Sequence, residues 1–441
     1  MKRGARRIRA ALAAWLNRAR PNQLPPPGDQ WLVWLLLAGR GFGKTRTGAE
    51  TVALWLINHA GCRVALVAAT FDDGRDTMVE GESGLLAVLD RYGVAYTWNR
   101  SLGQLIMGNG SRADLYSGEK PRQLRGPQHH YAWCDELAWW LHPRATWDNL
   151  LFGLRLGERP RILVSTTPRP LTLLSELVAA RDTVLSTGST MENAANLPAV
   201  ILDKLLEQYD GTSLGDQELY GILAGEVDGA LWSRAILAEA HGALLPELER
   251  IVVTIDPAVT SSEDADATGL CVAGRGPAPA GWQPPPHVVD KVRALAAPHL
   301  YVLHTEQDRW TPTEACTRAV ELALLYGADE LVVETNNGGD YLTTVLQAAL
   351  DAAGVTMRVT TVTASKNKRT RAEPTVALYD QRRAHHVGQH EALEDQLVSY
   401  TGADKEPSPD LMDALVWAQA RLIPLSVKRR RKRAEATTHA A

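Results

Sequence analysis

The stretch "LLLAGRGFGKTRTGAE", Leu35 to Glu50, constrains this chain more than any other. Ala38-Gly39-Arg40-Gly41-Phe42-Gly43-Lys44-Thr45 follows a solid apolar run and opens a segment of helical spacing, "TRTGAETVALWLINHA". It fits the phosphate-binding loop pattern except that Ala replaces the first glycine, although a glycine-rich stretch alone can simply form a tight turn. Glycines let successive backbone N–H groups point into one concavity, the lysine reaches the β/γ-phosphates, and the threonine hydroxyl ligates Mg²⁺. Such a loop needs a parallel α/β sheet around it, and the flanking sequence supplies one. From Trp31 to about Val227 the runs "WLVWLLLA", "RVALVAAT", "HHYAWCDE" and "RILVSTTP" alternate with helical patterns. Near-continuous apolar strands between amphipathic helices imply a sheet covered on both faces.

Two further elements suit ATP chemistry. "HHYAWCDELAWW" places Asp135 and Glu136 at the end of an apolar strand, where an aspartate holds Mg²⁺ and a glutamate polarises water for attack on the γ-phosphate. An isolated acidic pair there would more simply cap the next helix. "STTPR" ends the next strand with Thr166 and Thr167, hydroxyls placed to sense the γ-phosphate or simply to form a turn. Arg40, inside the loop, and Arg125, in "QLRGP", are the arginines available to neutralise transition-state charge, one on its own nucleotide and the other on a neighbour's.

At 441 residues the chain is long enough for two domains. The segment "LPAVILDKLLEQYDGTSLGDQELYGILAGE" reads as small helices forming a lid, residues 231–249 as a connector, and "RIVVTIDPAV" as the start of a second α/β pattern. That pattern also takes in "ATGLCVAGRG", "HVVDKVRAL", "ELVVETN", "MRVTTVTA" and a final helix "DLMDALVWAQARL", with the Pro-rich "GPAPAGWQPPP" as a hairpin loop. Expected boundaries are therefore a basic arm at 1–20, a P-loop domain at 21–230 with its lid at about 190–230, the connector, a second domain at 250–424, and a basic tail at 425–441.

In the second domain Asp256 and Glu334 each follow a buried strand, and Asp410 and Asp413 begin a helix three residues apart on one face. Acids gathered from separate elements repel one another unless cations sit between them, and two divalent ions clamping a phosphodiester need such a set. Asp264 and Asp266 are candidates for an additional ligand. "SKNKRTRAEP", with Lys366, Lys368, Arg369 and Arg371, and "DQRRAHH" are expected to hold a phosphate backbone.

Charge is segregated. Residues 1–20 carry seven basic and no acidic side chains, and Lys428 to Arg433 is an unbroken run of six; with those 13 set aside, 34 basic residues face 50 acidic ones over 21–427. The ends suit polyanion binding, although such runs also serve simply as solvated tails. Four separated cysteines (Cys62, Cys134, Cys271, Cys316) suit a reducing compartment rather than a zinc module or disulfide framework. The longest apolar run, Trp31 to Ala38, is too short to cross a bilayer, and the N-terminus lacks a signal peptide's apolar stretch, so a non-exported protein away from membranes is expected.

Taken together, "GRGFGKTR", "LRGPQHHYAWCDELAWW", "STTPRP", "TIDPAVTSSEDADATG", "VVETNNGGDYL", "KNKRTRAEP" and "SPDLMDALVWA" resemble, in order, the large terminase subunit of tailed bacteriophages and related gene-transfer particles. The resemblance implies an ASCE-class P-loop ATPase that moves double-stranded DNA into a procapsid through the portal, then an RNase H-like nuclease that cuts concatemers with two Mg²⁺ or Mn²⁺ ions. It implies ATP with Mg²⁺ bound by Gly39, Arg40, Gly41, Phe42, Gly43, Lys44, Thr45 and Arg46, with Gln23 or Gln30 at the adenine. Asp135 would hold the metal, Glu136 would be the catalytic base, and Thr166 and Thr167 would couple hydrolysis to movement. Arg40 matches the family's arginine within the loop, and Arg125 the finger offered to an adjacent subunit. Asp256, Glu334 and Asp410 or Asp413 would ligate the nuclease metals. A small terminase subunit, a ring of five copies on the portal, and residence in the host cytoplasm follow from the same likeness. A helicase-like DNA-dependent ATPase would normally carry a second ATPase-like lobe, and no second phosphate loop appears. A non-catalytic assembly protein clipped by nucleotide would keep Lys44 yet could dispense with Glu136 and the distal acids.

Overall fold

The computed structural model describes residues 2–209, 213–223, 229–258, 267–288, 294–335, 339–364, 367–402 and 408–424. The chain forms two compact units, residues 1–229 and 230–441.

The first unit is built on eight strands: β1 Val33–Ala38, β2 Arg63–Ala68, β3 Tyr96–Asn99, β4 Gln104–Met107, β5 Arg112–Ser117, β6 Tyr131–Asp135, β7 Arg161–Thr166 and β8 Thr183–Gly188. Their order is β3-β4-β5-β2-β6-β7-β1-β8. Six run parallel, and β3 and β4 add an antiparallel edge that the apolar pattern did not reveal. β3 alternates half-buried with exposed positions, and β4 alternates buried Leu105 and Met107 with half-buried or exposed neighbours, instead of being apolar throughout.

Alternation explains the solid runs. Trp34, Leu36 and Ala38 of β1 enter one core cluster and Val33, Leu35 and Leu37 another. The two faces of β2 divide in the same way, Val64, Leu66 and Ala68 against Ala65 and Val67. A strand packed on both faces has no polar positions to spare. Each buried Val or Leu among them contributes roughly 1.5–3 kcal/mol by leaving water.

Helix Lys44–Asn58 lies against β6 so closely that a Cβ on Gly48 would overlap the Trp133 ring. The basic N-terminus, expected as an arm, is a helix over Lys2–Leu16. Ile8, Ala11 and Leu12 pack on the first unit's core, Trp15 is buried, and Arg7 donates to the Asp90 carbonyl at 2.6 Å. Its apolar residues recur at helical spacing, so one face docks on the core while Arg6 and Arg9 are exposed.

The second unit has six strands: β9 Arg250–Asp256, β10 Thr268–Gly276, β11 His299–Asp308, β12 Glu330–Glu334, β13 Arg358–Val362 and β14 Ala384–His386. The order is β13-β12-β9-β10-β11-β14, with β9, β10 and β11 antiparallel and the outer pairings parallel. The Pro-rich segment does link two antiparallel neighbours, β10 and β11. Strand β11 was not legible, because its second half, "LHTEQD", is polar and only half-buried; of "HVVDKVRAL", residues 289–293 lie outside the described residues.

Two expectations are corrected here. Residues 231–249 are not a free connector: Trp232, Leu237 and Ala240 are buried in the second unit's core, around a short helix Arg234–Ala238. "DQRRAHH" does not present a basic surface. His385 and His386 are buried in β14, Arg382 pairs with Glu239, and Arg383 donates to the Pro298 carbonyl, because this segment is an edge strand beside β11. The tail from 425 lies outside the described residues, and no described helix is long and apolar enough to cross a membrane.

Candidate active sites

Strand order assembles the first site. β7 lies between β1 and β6, so Thr166 and Thr167 emerge between the glycine loop and the acidic pair. Lys44, buried at the first turn of its helix, reaches all three: its Nζ lies 2.9 Å from the Ala38 carbonyl, 2.9 Å from Thr167 Oγ1 and 3.3 Å from Glu136 Oε1. Gly43 adopts φ +104° and Gly41 φ +76°, values that glycine tolerates and side chains rarely do.

Glu136 also has a positive φ, +46°, uncommon for a residue with a side chain and a form of strain that gathers at functional sites. The conformation turns its carboxylate back toward β7, where Oε2 accepts from the Thr167 amide at 3.0 Å. Asp135 is held by a relay the sequence did not disclose. Trp133 Nε1 donates to Ser165 Oγ at 2.8 Å, and Ser165 Oγ donates to Asp135 Oδ1 at 2.5 Å. Burial, reinforced by the Glu136 charge, raises the Asp135 pKa to about 7. A buried carboxyl raised in this way suits a divalent cation, which would restore its charge.

The lid closes over the loop backbone. Thr190 Oγ1 donates to the Arg40 carbonyl at 2.6 Å, Asn193 to the Gly41 carbonyl at 2.6 Å, and the Arg40 amide to the Glu218 carbonyl at 2.7 Å. The Arg40 guanidinium, largely exposed, pairs with Glu218. Arg46 is committed to Glu50 and lies over the Trp15 ring, so its side chain is not aimed at the loop. Gln23 is buried beside the loop, its Nε2 3.2 Å from Thr47 Oγ1, whereas Gln30 is exposed and bonded to Asp29. Of the two glutamines only Gln23 reaches the site. Arg125 is exposed on the loop before β6, donating to Asn149 Oδ1 at 3.3 Å. Arg20, which the sequence did not single out, stacks over Phe42 and donates to its carbonyl.

The second site gathers all four acids. β9 and β12 are parallel neighbours in a register pairing Ile255 with Val333, which sets Asp256 beside Glu334. Helix Asp410–Leu422 crosses the same sheet: the Thr254 hydroxyl donates to the Ala414 carbonyl at 2.7 Å, and its first turn comes down over Gly269, the register partner of Asp256. Asp256, Glu334, Asp410 and Asp413 are all buried. Burial, the charge of Asp413, a hydrogen bond with Glu334 and the charge of Asp410 hold the Asp256 pKa well above the usual carboxylate range. Trp417 Nε1 donates to Glu334 Oε2 at 2.6 Å and fixes its rotamer. Oxygen donors in mutual repulsion fit hard divalent cations such as Mg²⁺ or Mn²⁺.

Two of the basic residues expected on a phosphate backbone sit instead inside this cluster. Lys368 Nζ is 2.7 Å from Asp413 Oδ2, and Arg371 Nη2 is 3.0 Å from Asp413 Oδ1. Burial opposes the Lys368 charge, but Asp413, Asp256 and Asp410 outweigh it and raise its pKa. Helix Lys368–Asp380 packs against helix Asp410–Leu422, and that packing turns both cations inward. Arg369 donates to the Thr401 carbonyl, while Lys366, Asp264 and Asp266 lie outside the described residues.

A P-loop sheet with its acidic pair, followed by an RNase H-like sheet with clustered carboxylates, defines a two-domain ATPase and nuclease architecture. Residues 35–239 match the family model described as terminase large subunit, T4likevirus-type, N-terminal, and residues 253–422 match the terminase RNaseH-like domain. The two matches account for most of the chain, which belongs to the large terminase subunit family. No curated protein matches the chain. Among solved structures it is similar to the large terminase of a thermophilic bacteriophage, at 13% identity, covering 94% of this chain and 98% of that one with a TM-score of 0.41. It is similar also to the HK97 bacteriophage large terminase, at 12% identity, covering 94% and 99% with a TM-score of 0.41. The nuclease domain of the large terminase subunit gp2 of bacterial virus Sf6 covers 43% of this chain and 97% of its own at 17% identity, with a TM-score of 0.31.

Proposed function

We propose that this chain is the motor and cutting enzyme of DNA packaging: ATP hydrolysis in its first unit drives double-stranded DNA into a procapsid, and its second unit cleaves concatemeric DNA. The observation that carries the reading is that each unit holds its own cluster of groups suited to phosphate chemistry, buried Lys44 and Asp135 with half-buried Glu136 in one, and buried Asp256, Glu334, Asp410 and Asp413 in the other.

In the first unit the loop amides and Lys44 orient the triphosphate, with Gln23 on the nucleotide's base side. Thr45 and Asp135 would hold Mg²⁺, which would neutralise charge developing on the triphosphate. Glu136 takes the proton of the attacking water, and Thr167, bonded to both Lys44 and Glu136, registers departure of the γ-phosphate. Thr166, buried beneath, passes the change to the segment after β6 through its bond from the Ala138 amide. Arg40 neutralises charge from within the loop and Arg125, exposed, serves a neighbouring subunit.

In the second unit the four carboxylates would hold two divalent cations, Mg²⁺ or Mn²⁺, which would supply Lewis-acid stabilisation of the charge that develops on the scissile phosphodiester. Lys368 and Arg371 balance the cluster's charge beforehand. The partners of this reading are double-stranded DNA, a portal, a small terminase subunit and further copies of this chain in a ring of five, in the cytoplasm of a bacterial host. The docked N-terminal helix offers its arginines to the DNA phosphates. The test is ATP-dependent protection of linear DNA from added DNase by portal-bearing procapsids. Protection that needs this chain and ATP supports the reading, and ATP hydrolysis without protection contradicts it.

A further inference from the structure

Away from the acid cluster, the second unit brings two imidazoles onto one carboxylate. His241 Nε2 and His386 Nδ1 each lie 2.8 Å from Glu394 Oε1, and the three donor atoms are within 4.8 Å of one another. They come from three places in the chain: the segment after the short helix Arg234–Ala238, strand β14, and helix Glu391–Ser399. The His386 side chain is fully buried, Glu394 largely so, and His241 is about one-third exposed at 36%. The other nitrogen of His386, Nε2, lies 2.7 Å from the buried Tyr379 hydroxyl.

We propose that His241, His386 and Glu394 form a zinc site that staples residues 239–241 to the body of the second unit. Two imidazole nitrogens and one carboxylate oxygen are a donor set zinc takes readily, with a fourth, tetrahedral position left to water. Here that position opens on the His241 side, where solvent reaches the group. Bond lengths of about 2.0–2.2 Å place neighbouring donors roughly 3.3 Å apart in a tetrahedron. The present 2.8 Å contacts need open by only about half an ångström for the ion to enter. Zinc takes the lone pairs of His241 Nε2 and His386 Nδ1. The His386 proton then resides on Nε2 and is donated to Tyr379, the outer hydrogen bond that orients metal-bound histidines. His390, whose ring lies 5.3 Å from that of His386, is committed to Thr305 and the Val387 carbonyl and is not a ligand.

A staple has a purpose at this point. Residues 239–249 precede β9 without forming a strand or helix of their own, and Glu239 and His241 attach them through their side chains, Glu239 through Arg382. A metal bond joining His241 to β14 and helix Glu391–Ser399 fixes the approach to β9, whose far end carries Asp256.

The experiment uses the full-length chain in excess Mg²⁺, so that the acid cluster is filled, with Zn²⁺ and then Co²⁺ as probes. Expected are one Zn²⁺ per chain by calorimetry, a rise in Tm on adding it, and the intense visible bands of four-coordinate, nitrogen-bound Co²⁺. His241→Ala, at the exposed ligand, and Glu394→Gln should each weaken Zn²⁺ binding at least tenfold and abolish the Tm rise, with far-UV circular dichroism unchanged. Zinc binding of equal strength in both variants, or Co²⁺ spectra of weak octahedral type, would overturn the site and leave the three groups as a hydrogen-bonded cluster only.

Discussion

Gly269 and Asp410 approach so closely that no side chain fits between them: a Cβ at 269 would overlap the Asp410 carbonyl oxygen. Since Gly269 is also the register partner of Asp256, this one glycine lets the first turn of helix Asp410–Leu422 settle over the strand that carries the first acid. Gly269→Ala should push that turn away, at roughly 1–3 kcal/mol of stability. DNA cleavage should fall sharply while ATP turnover persists. Parallel nuclease and ATPase assays, with a thermal melt, check it.

Glu136 Oε1 lies 3.3 Å from Lys44 Nζ, where the proposed mechanism has it take a proton from water. Glu136→Gln should keep nucleotide binding and lower turnover by about 10²- to 10⁴-fold. Equilibrium binding of a labelled nucleotide beside steady-state hydrolysis tests this, and unchanged hydrolysis would remove Glu136 from its role.

Asp135 makes stability depend on pH in a definite direction. The folded carboxyl keeps its proton up to about 7, whereas the unfolded chain loses it near the ordinary value of 3.8. Between those values the unfolded state binds fewer protons. The contribution is therefore fully present below the unfolded value and is lost as pH rises through about 7, by at most about 1.4 kcal/mol per pH unit. Denaturation midpoints taken without divalent ions should fall over this window, and Asp135→Asn should flatten the fall. An identical slope in the variant would assign it elsewhere.

Ser165 orients Asp135, so Ser165→Ala should raise the Asp135 pKa further and weaken Mg²⁺-dependent turnover while leaving nucleotide binding intact. The Mg²⁺ concentration for half-maximal ATPase activity should rise. If it does not, the Trp133–Ser165–Asp135 relay serves packing alone.

Much of both sites was legible because each key residue stands at a boundary between a run of one period and a segment of another. Lys44, Asp135, Thr166, Asp256 and Glu334 all end strands or begin helices, where sheet topology decides what they meet. What escaped was fixed by packing across the fold. Ser165 and Gly269 matter only through the residue opposite them in a neighbouring strand or helix, and Lys368 and Arg371 read as surface charge until the pairing of two helices turned them inward. Strands β11 and β14 escaped because polar residues and histidines fill them, and His386 is buried by residues distant in sequence, among them its β11 neighbour Val302 and His241.

The central claim is that two separate chemical centres share this chain. It is tested most directly by measuring ATP hydrolysis and Mg²⁺- or Mn²⁺-dependent plasmid cleavage on the wild type, Glu136→Gln and Asp256→Asn. Expected are both activities in the wild type, cleavage without hydrolysis in Glu136→Gln, and hydrolysis without cleavage in Asp256→Asn. Loss of both activities in Asp256→Asn, with its fold intact by circular dichroism, would contradict it.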